Sequence, residues 1–379
     1  MKKLEKVGYE LCDVNIIQAE ISYINHRSEC DTMIEMCGRK VYPVIVAPMA
    51  AVTDENNYKT WLENNFICVV PRTVQFEKRL KICTETFCSF SLDEAEMLLE
   101  QKYCDFFKNK SFYICVDIAQ GTMIKLYSTC LSLKEHYGSQ ITIMSGNVAT
   151  PLAYSYYAES GIDYIRLNIG SGSRCTTACN VGVHYPVATL IDDITDIKKQ
   201  YDKNHGIDGP KIIADGGISN FDDIQKCLAL GAFAVMNGSY FARMEEACGP
   251  TRYLLPGENF DKGISKSKYD YIVNLYTSGD EDYYLTTSDY EYLLKGVPYR
   301  EYYGMSTKRA QQETGNVCSK TSEGVCIPVR VEYPIAKWAD NMRSFLASAM
   351  SYTNSKNIDE LRENTELIIN LSGDKSFRK

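Results

Sequence analysis

The chain has 379 residues, 45% hydrophobic and 24% charged, with a formal net charge of −8. That length and balance fit one large α/β barrel or two ordinary domains, and the acidic excess excludes a general nucleic-acid binder, which shows a basic stripe. No apolar run approaches the ~18 residues of a membrane span, and the N-terminal "MKKLEKVGYELCD" lacks a signal-peptide apolar core, so a cytoplasmic protein without membrane partners is expected.

In chain order, eight β-rich runs recur: "VIVAPM" (44–49), "ICVV" (67–70), "TFCSF" (86–90), "FYICVDIA" (112–119), "ITIMSGN" (141–147), "YIRLNIG" (164–170), "KIIADGG" (211–217) and "FAVMNGS" (233–239). Continuous apolar runs of this kind suit parallel strands buried on both faces. Segments of helical spacing separate them, among them "SLDEAEMLLEQKY", "PLAYSYYAESG" and "SNFDDIQKCLALG". Eight strands alternating with helices predict an α/β fold, a (β/α)8 TIM barrel in a single domain, with a doubly wound open sheet as the alternative. After the last strand, 251–302 forms a Tyr-rich acidic insertion, and 303–333 reads as a mobile active-site flap. The remaining "AKWADNMRSFLASAMSYTNSKNIDELRENTELIIN" reads as helix, turn, helix.

Polar and glycine residues collect at the predicted C-terminal strand ends, where barrel chemistry sits. They are Asp117, Ser145-Gly146-Asn147, Gly170-Ser171-Gly172, Asp215-Gly216-Gly217 and Asn237-Gly238-Ser239. Glycines there serve as turn formers or as a phosphate platform, because a backbone without Cβ lets N–H groups approach an anion. Asp215 suits either a sugar hydroxyl or a helix N-cap.

The stretch "NIGSGSRCTTACN" (168–180) is a near miss for G-x-G-x-x-G, with Cys175 in place of the third glycine. A thiol attacks only as thiolate, and a Gly/Ser-rich loop before a helix start can lower its pKa. In a chain with fifteen cysteines, most are small core hydrophobes. The spacings make no paired C-x-x-C zinc pattern. His26, His136, His184 and His205 fall near no Cys-activating motif.

"GSGSRCTTACNVGVHYP" resembles the active-site loop of the inosine monophosphate dehydrogenase / guanosine monophosphate reductase family, G-P-G-S-x-C-T-T-R-x-x-x-G-V-x-x-P. The resemblance continues through "VIVAPM", "CVDIAQG", "SGNVAT", "IADGGISNFDDIQKCLALGAFAVMNGS", "YYGMS" and "SEG". "GVHYP", "YGMS", the short stretch from Met305 to Glu323 and the lack of an inserted CBS regulatory domain favour the reductase branch. The resemblance implies an NADPH-dependent reductive deamination of GMP to IMP and ammonia through a covalent thioimidate on Cys175. The alternatives are an IMP dehydrogenase that oxidises IMP to XMP with NAD, or a member acting on a deoxy or modified purine monophosphate.

Residue by residue, the resemblance makes Cys175, Thr177 and Glu323 catalytic. It gives the nucleotide Ser173, Asp215, Gly216, Gly217, Gly238, Ser239, Tyr303, Gly304, Met305 and Ser306, with Asp215 on the ribose and Met305 and Ser306 at the base. Arg72, Asp117, Asn147, Gly170 and Lys320 fall on the cofactor side. The carbonyls of Gly170, Gly172 and Cys175 would bind a monovalent cation, K+, and the family's usual assembly is a homotetramer. The chain departs from the pattern at Met49-Ala50, Ser171, Ala178 and Val187, and Arg72 and Lys320 exchange the family's Lys and Arg.

Overall fold

All eight apolar runs form strands: β1 (Val44–Val46), β2 (Val69–Val70), β3 (Phe87–Phe90), β4 (Phe112–Asp117), β5 (Ile141–Val148), β6 (Tyr164–Leu167), β7 (Lys211–Asp215) and β8 (Ala234–Asn237). The computed structural model describes residues 6–170, 177–278, 285–304, 307–314 and 324–370. The strands pair in parallel from β2 through β8, and β8 returns to β1. A parallel bridge from Val46 to Cys68 closes the ring. This is the (β/α)8 barrel rather than the doubly wound alternative.

The strands close because their side chains are apolar on both faces. All four residues of β3, β6 and β8 are buried, so most of their side chains meet other apolar groups, with Ser89, Arg166 and Asn237 as the polar exceptions. Helices follow the strands on the outside. Ser91 starts one of them with a reciprocal cap: its hydroxyl accepts the Glu94 N–H, and the Glu94 carboxylate accepts the Ser91 N–H. The single helix expected over 91–103 is instead two, Leu92–Met97 and Gln101–Phe107.

The region after the barrel is more ordered than a polar loop. Strands β9 (Thr251–Leu254), β10 (Ile264–Ser265), β11 (Val297–Tyr302) and β12 (Ile327–Arg330) form an antiparallel sheet in the order β10-β9-β11-β12. Helices Lys266–Ser278 and Thr287–Lys295 accompany it, and the rings of Tyr253 and Tyr269 stack at 3.5 Å. Strand β12 and the helix Lys308–Glu313 lie within 303–333, where a mobile flap is expected. One sheet therefore spans the boundary drawn at residue 302.

Arg300 on β11 fastens this sheet to the barrel. Its guanidinium donates to the carbonyls of Gly249 at 2.9 Å, Ala242 at 2.9 Å and Met244 at 2.7 Å, and to Thr251 Oγ1 at 3.2 Å. Burial pulls its pKa down to about 10. Neutral carbonyls, rather than a carboxylate, carry its hydrogen bonds.

The C-terminal helices Ile335–Tyr352 and Ile358–Asn364 match the expected pair. Trp338 packs among Phe66, Phe241, Phe221 and Tyr240. A final strand, Leu367–Ile369, pairs with Val14–Ile16 and ties the two ends of the chain together. The described cysteines are all free thiols, and burial pushes Cys68 and Cys115 up to about 12, out of the reactive range. Among the described residues no helix is long and apolar enough to cross a membrane.

Replacing Arg300 by Ala strands several buried carbonyls at once. The variant is expected to lose about 2–4 kcal/mol in urea unfolding, and Arg300→Lys, which cannot fork to the same acceptors, recovers only part of it.

Candidate active site

Five strand ends deliver one connected polar layer inside the barrel. Arg166 on β6 is its centre, with a side chain only 6% exposed. Its Nη1 donates to Asp117 Oδ1 on β4 at 2.7 Å and lies 3.3 Å from Cys115 Sγ. Its Nε and Nη2 both reach Asp215 Oδ2 on β7, at 3.1 and 2.7 Å. Asn147 on β5 donates to the same Asp215 oxygen at 2.8 Å, and Ser89 on β3 donates to Asp117 Oδ2 at 3.2 Å.

Burial opposes the charge on Asp117, but Arg166, then Arg72, outweigh it and hold the carboxyl below its ordinary value. For Arg166 burial likewise opposes the charge, and Asp215 and Asp117 override it to push the guanidinium well above its usual range. The layer thus favours the ionised forms of Asp117 and of the guanidinium. Asp215 Oδ1 carries no hydrogen bond among the described residues, which leaves one acceptor for a hydroxyl.

Beside this layer lies a glycine-lined platform. Gly216 and Gly217 have φ of 100° and 75°, a left-handed conformation that favours glycine. A Cβ at Gly238 would strike Met49 Sδ and come within 2.6 Å of the Tyr302 hydroxyl oxygen. Asn237 orders the turn: its Oδ1 accepts from the Tyr240 N–H at 2.8 Å and from Ser239 Oγ at 3.2 Å. Such a turn presents backbone N–H groups to an anion.

The two adjacent tyrosines have different neighbours. Tyr303, expected at the nucleotide, donates its hydroxyl to the Glu313 carboxylate at 3.0 Å and stacks under Arg309. Tyr302 is the tyrosine at Gly238. Gly304 comes next, and its carbonyl accepts the Thr307 hydroxyl at 2.8 Å.

Arg72, expected on the cofactor side, has a buried Nε with no hydrogen-bond partner among the described residues. Gly170 has φ of 82°, and a Cβ there would lie 2.5 Å from Ala178 Cβ. The position where the family carries Arg is therefore packed by a methyl group directly on the glycine. Thr177 opens the helix Thr177–Val181. Gly172, Ser173, Cys175, Met305, Ser306, Lys320 and Glu323 lie outside the described residues.

Sequence reasoning missed Arg166, although a signal was present. A guanidinium inside the apolar run "YIRLNIG" demands a buried carboxylate partner. Asn168 was missed as well. It adopts φ of 97°, unusual for a residue with a Cβ. Its N–H donates to the Val148 carbonyl at 2.6 Å, and its side-chain amide reaches the Gly216 carbonyl at 3.5 Å.

Residues 97–263 match the model of the IMP dehydrogenase / GMP reductase domain. The chain carries an IMP dehydrogenase / GMP reductase domain. It is 27% identical to the GMP reductase of Shouchella clausii over 379 aligned positions, covering 96% of this chain and 97% of that protein. It is equally similar, at 27%, to the GMP reductase of Oceanobacillus iheyensis over 96% of this chain and 98% of that one. The inosine-5′-monophosphate dehydrogenase of Chlorobaculum parvum is 30% identical over 255 positions, 67% of this chain and 44% of that protein. The matched domain contains the whole polar layer apart from Ser89.

Replacing Arg166 by Met leaves two buried carboxylates facing each other in the domain. The expected loss is about 3–5 kcal/mol in denaturant unfolding at neutral pH. Asp117 is held below its ordinary pKa of 3.8, so its stabilising contribution is present above that value and lost as pH falls through the folded one. The gap between wild type and variant should accordingly shrink on acidification below pH 3.8.

Proposed function

We propose that the protein is a GMP reductase-like oxidoreductase, converting GMP, NADPH and protons into IMP, ammonium and NADP+. One observation carries the reading. The GMP reductases of Shouchella clausii and Oceanobacillus iheyensis align over nearly their whole length and this chain's, whereas the dehydrogenase relative aligns over 44% of its own.

The site chemistry supports a purine monophosphate. The 215–217 and 237–239 turns form a backbone cradle for the 5′-phosphate, with the Tyr302 hydroxyl at its edge. The free oxygen of Asp215 suits a ribose hydroxyl, and Asn147 and Arg166 hold the carboxylate that supplies it. In this reading Cys175 attacks purine C2, the C2–N bond breaks, and ammonia departs. Thr177 and Glu323 handle protons on the leaving amine, as general acid–base chemistry requires. A covalent step divides one difficult displacement into two easier ones.

The residues present fit a dinucleotide beside this site. Arg72 offers a buried Nε without a partner, and Asp117 stays ionised at the same mouth. They would hold and orient the cofactor, together with Lys320; the cofactor would supply the hydride that C2 receives, after which the C2–S bond breaks and releases the Cys175 thiol. Gly170, Gly172 and Cys175 would present carbonyls to a monovalent cation, and the assembled enzyme would be a homotetramer.

Purified enzyme given GMP and NADPH should consume reduced nicotinamide, and with IMP and NAD+ should generate little. The opposite sign of the absorbance change would overturn the reductase reading in favour of the dehydrogenase. Faster turnover of a deoxy or modified purine monophosphate would redirect the substrate. Cys175→Ala should lower turnover at least about a thousandfold while still binding nucleotide. Gly238→Ala, which drives a methyl group at Met49 and Tyr302, should raise the nucleotide KM about tenfold or more.

A further inference from the structure

His184 sits outside the polar layer and outside the residues assigned above. Its Nδ1 lies 3.1 Å from the carbonyl oxygen of Ile169, and its Nε2 lies 2.6 Å from Glu10 Oε1. A carbonyl and an ionised carboxylate can only accept. Both ring nitrogens must then carry hydrogen, and the ring that satisfies both contacts is an imidazolium.

The other Glu10 oxygen accepts the backbone N–H of Val187 at 3.0 Å, at the start of the helix Val187–His205. The Glu10 N–H in turn donates to Asp13 Oδ2. On the neighbouring face, Tyr185 donates to Asp193, which also takes the Lys6 ammonium at 2.5 Å. Glu10 is the charged group against the ring itself. Burial disfavours the charged ring, but the hydrogen bonds to Glu10 and Ile169 outweigh it and hold the imidazole above 6.5.

The geometry points to a clamp. Ile169 lies two residues beyond β6, and residues 169 and 184 flank the sequence that contains Cys175. We propose that His184, as imidazolium, is a positioning residue that ties both ends of the 169–184 segment to Glu10 and so sets the placement of the reacting cysteine. The proposal rests on Cys175 being the nucleophile. Because the ring's folded value is raised, the clamp is complete below pH 6.5 and opens as pH rises through that raised value. Thiolate formation rises with pH, so the two trends oppose each other.

The first test needs no turnover. The His184 ring signals, followed by NMR against pH in the full-length enzyme, should titrate above 6.5. In Glu10→Gln they should move down by about one unit or more. Amide exchange over 177–187 should accelerate across the same midpoint, beyond its intrinsic rise with pH. In the GMP assay, the alkaline limb of kcat/KM should follow the His184 titration and shift with it in Glu10→Gln, while His184→Gln should abolish that limb. An ordinary or lowered His184 titration, or one indifferent to Glu10→Gln, would overturn the clamp whatever the enzyme's substrate. A normal titration shift with an unmoved activity profile would overturn its role in placing the cysteine. Lack of GMP turnover with the titration intact would count against the reductase reading alone.

Discussion

The barrel mouth depends on one buried guanidinium reaching two strands at once. Arg166 on β6 must pass β5 to meet Asp117 on β4, and the register explains how. Asp117, Gly146 and Arg166 are in register across the three strands, so their Cα atoms lie at one level of the sheet. Any Cβ at Gly146 would collide with the backbone and Cβ of Arg166. Glycine at that position opens the lane through which the guanidinium crosses. Asn147 and Ser89 supply the neutral donors that burying two carboxyl groups beside one guanidinium requires.

The layer also orients the turn after β7. Asp215 is fixed by three donors on one oxygen, and the next two residues turn through left-handed conformations that expose their N–H groups. A carboxylate held this way cannot swing to cap a helix, which removes the bland reading of Asp215 as an N-cap. Its free oxygen and the adjacent backbone donors then lie one residue apart, a spacing that matches adjoining hydroxyl and phosphate groups. One oxygen of Asp215 takes all three positioning donors, and the other faces none of them.

Much of this was legible in the sequence. The eight strands announced themselves because doubly buried parallel strands need unbroken apolar runs, and Asp117, Asn147 and Asp215 stood out at their polar ends. Arg166 did not, since it lies within a strand and reads as part of it; only the cost of burying an unpaired charge gives it away. Strand β12 was hidden for the opposite reason. Its residues alternate between half-buried and exposed, and that weak pattern sits in a polar stretch that reads as loop. Choosing between Tyr302 and Tyr303 was beyond any pattern, because successive strand residues face opposite ways and pairing of Tyr302 with Ile327 decides which one meets Gly238.

The residues on either side of 171–176 are closely constrained. Residues 171–176 come after an entrance fixed by Asn168, whose positive φ costs about 1 kcal/mol or more and persists only where surroundings over-determine it. They precede a helix seated on Gly170 through Ala178, where a long Arg side chain would need a different path from the methyl group that packs there. Further on, His184 returns a hydrogen bond to Ile169. Asn168 reaches the platform, Ala178 closes on the entrance, and His184 links the exit to the N-terminal segment. Together these contacts anchor the two flanks: Asn168 to Val148 and Gly216, Ala178 to Gly170, and His184 to Ile169 and Glu10.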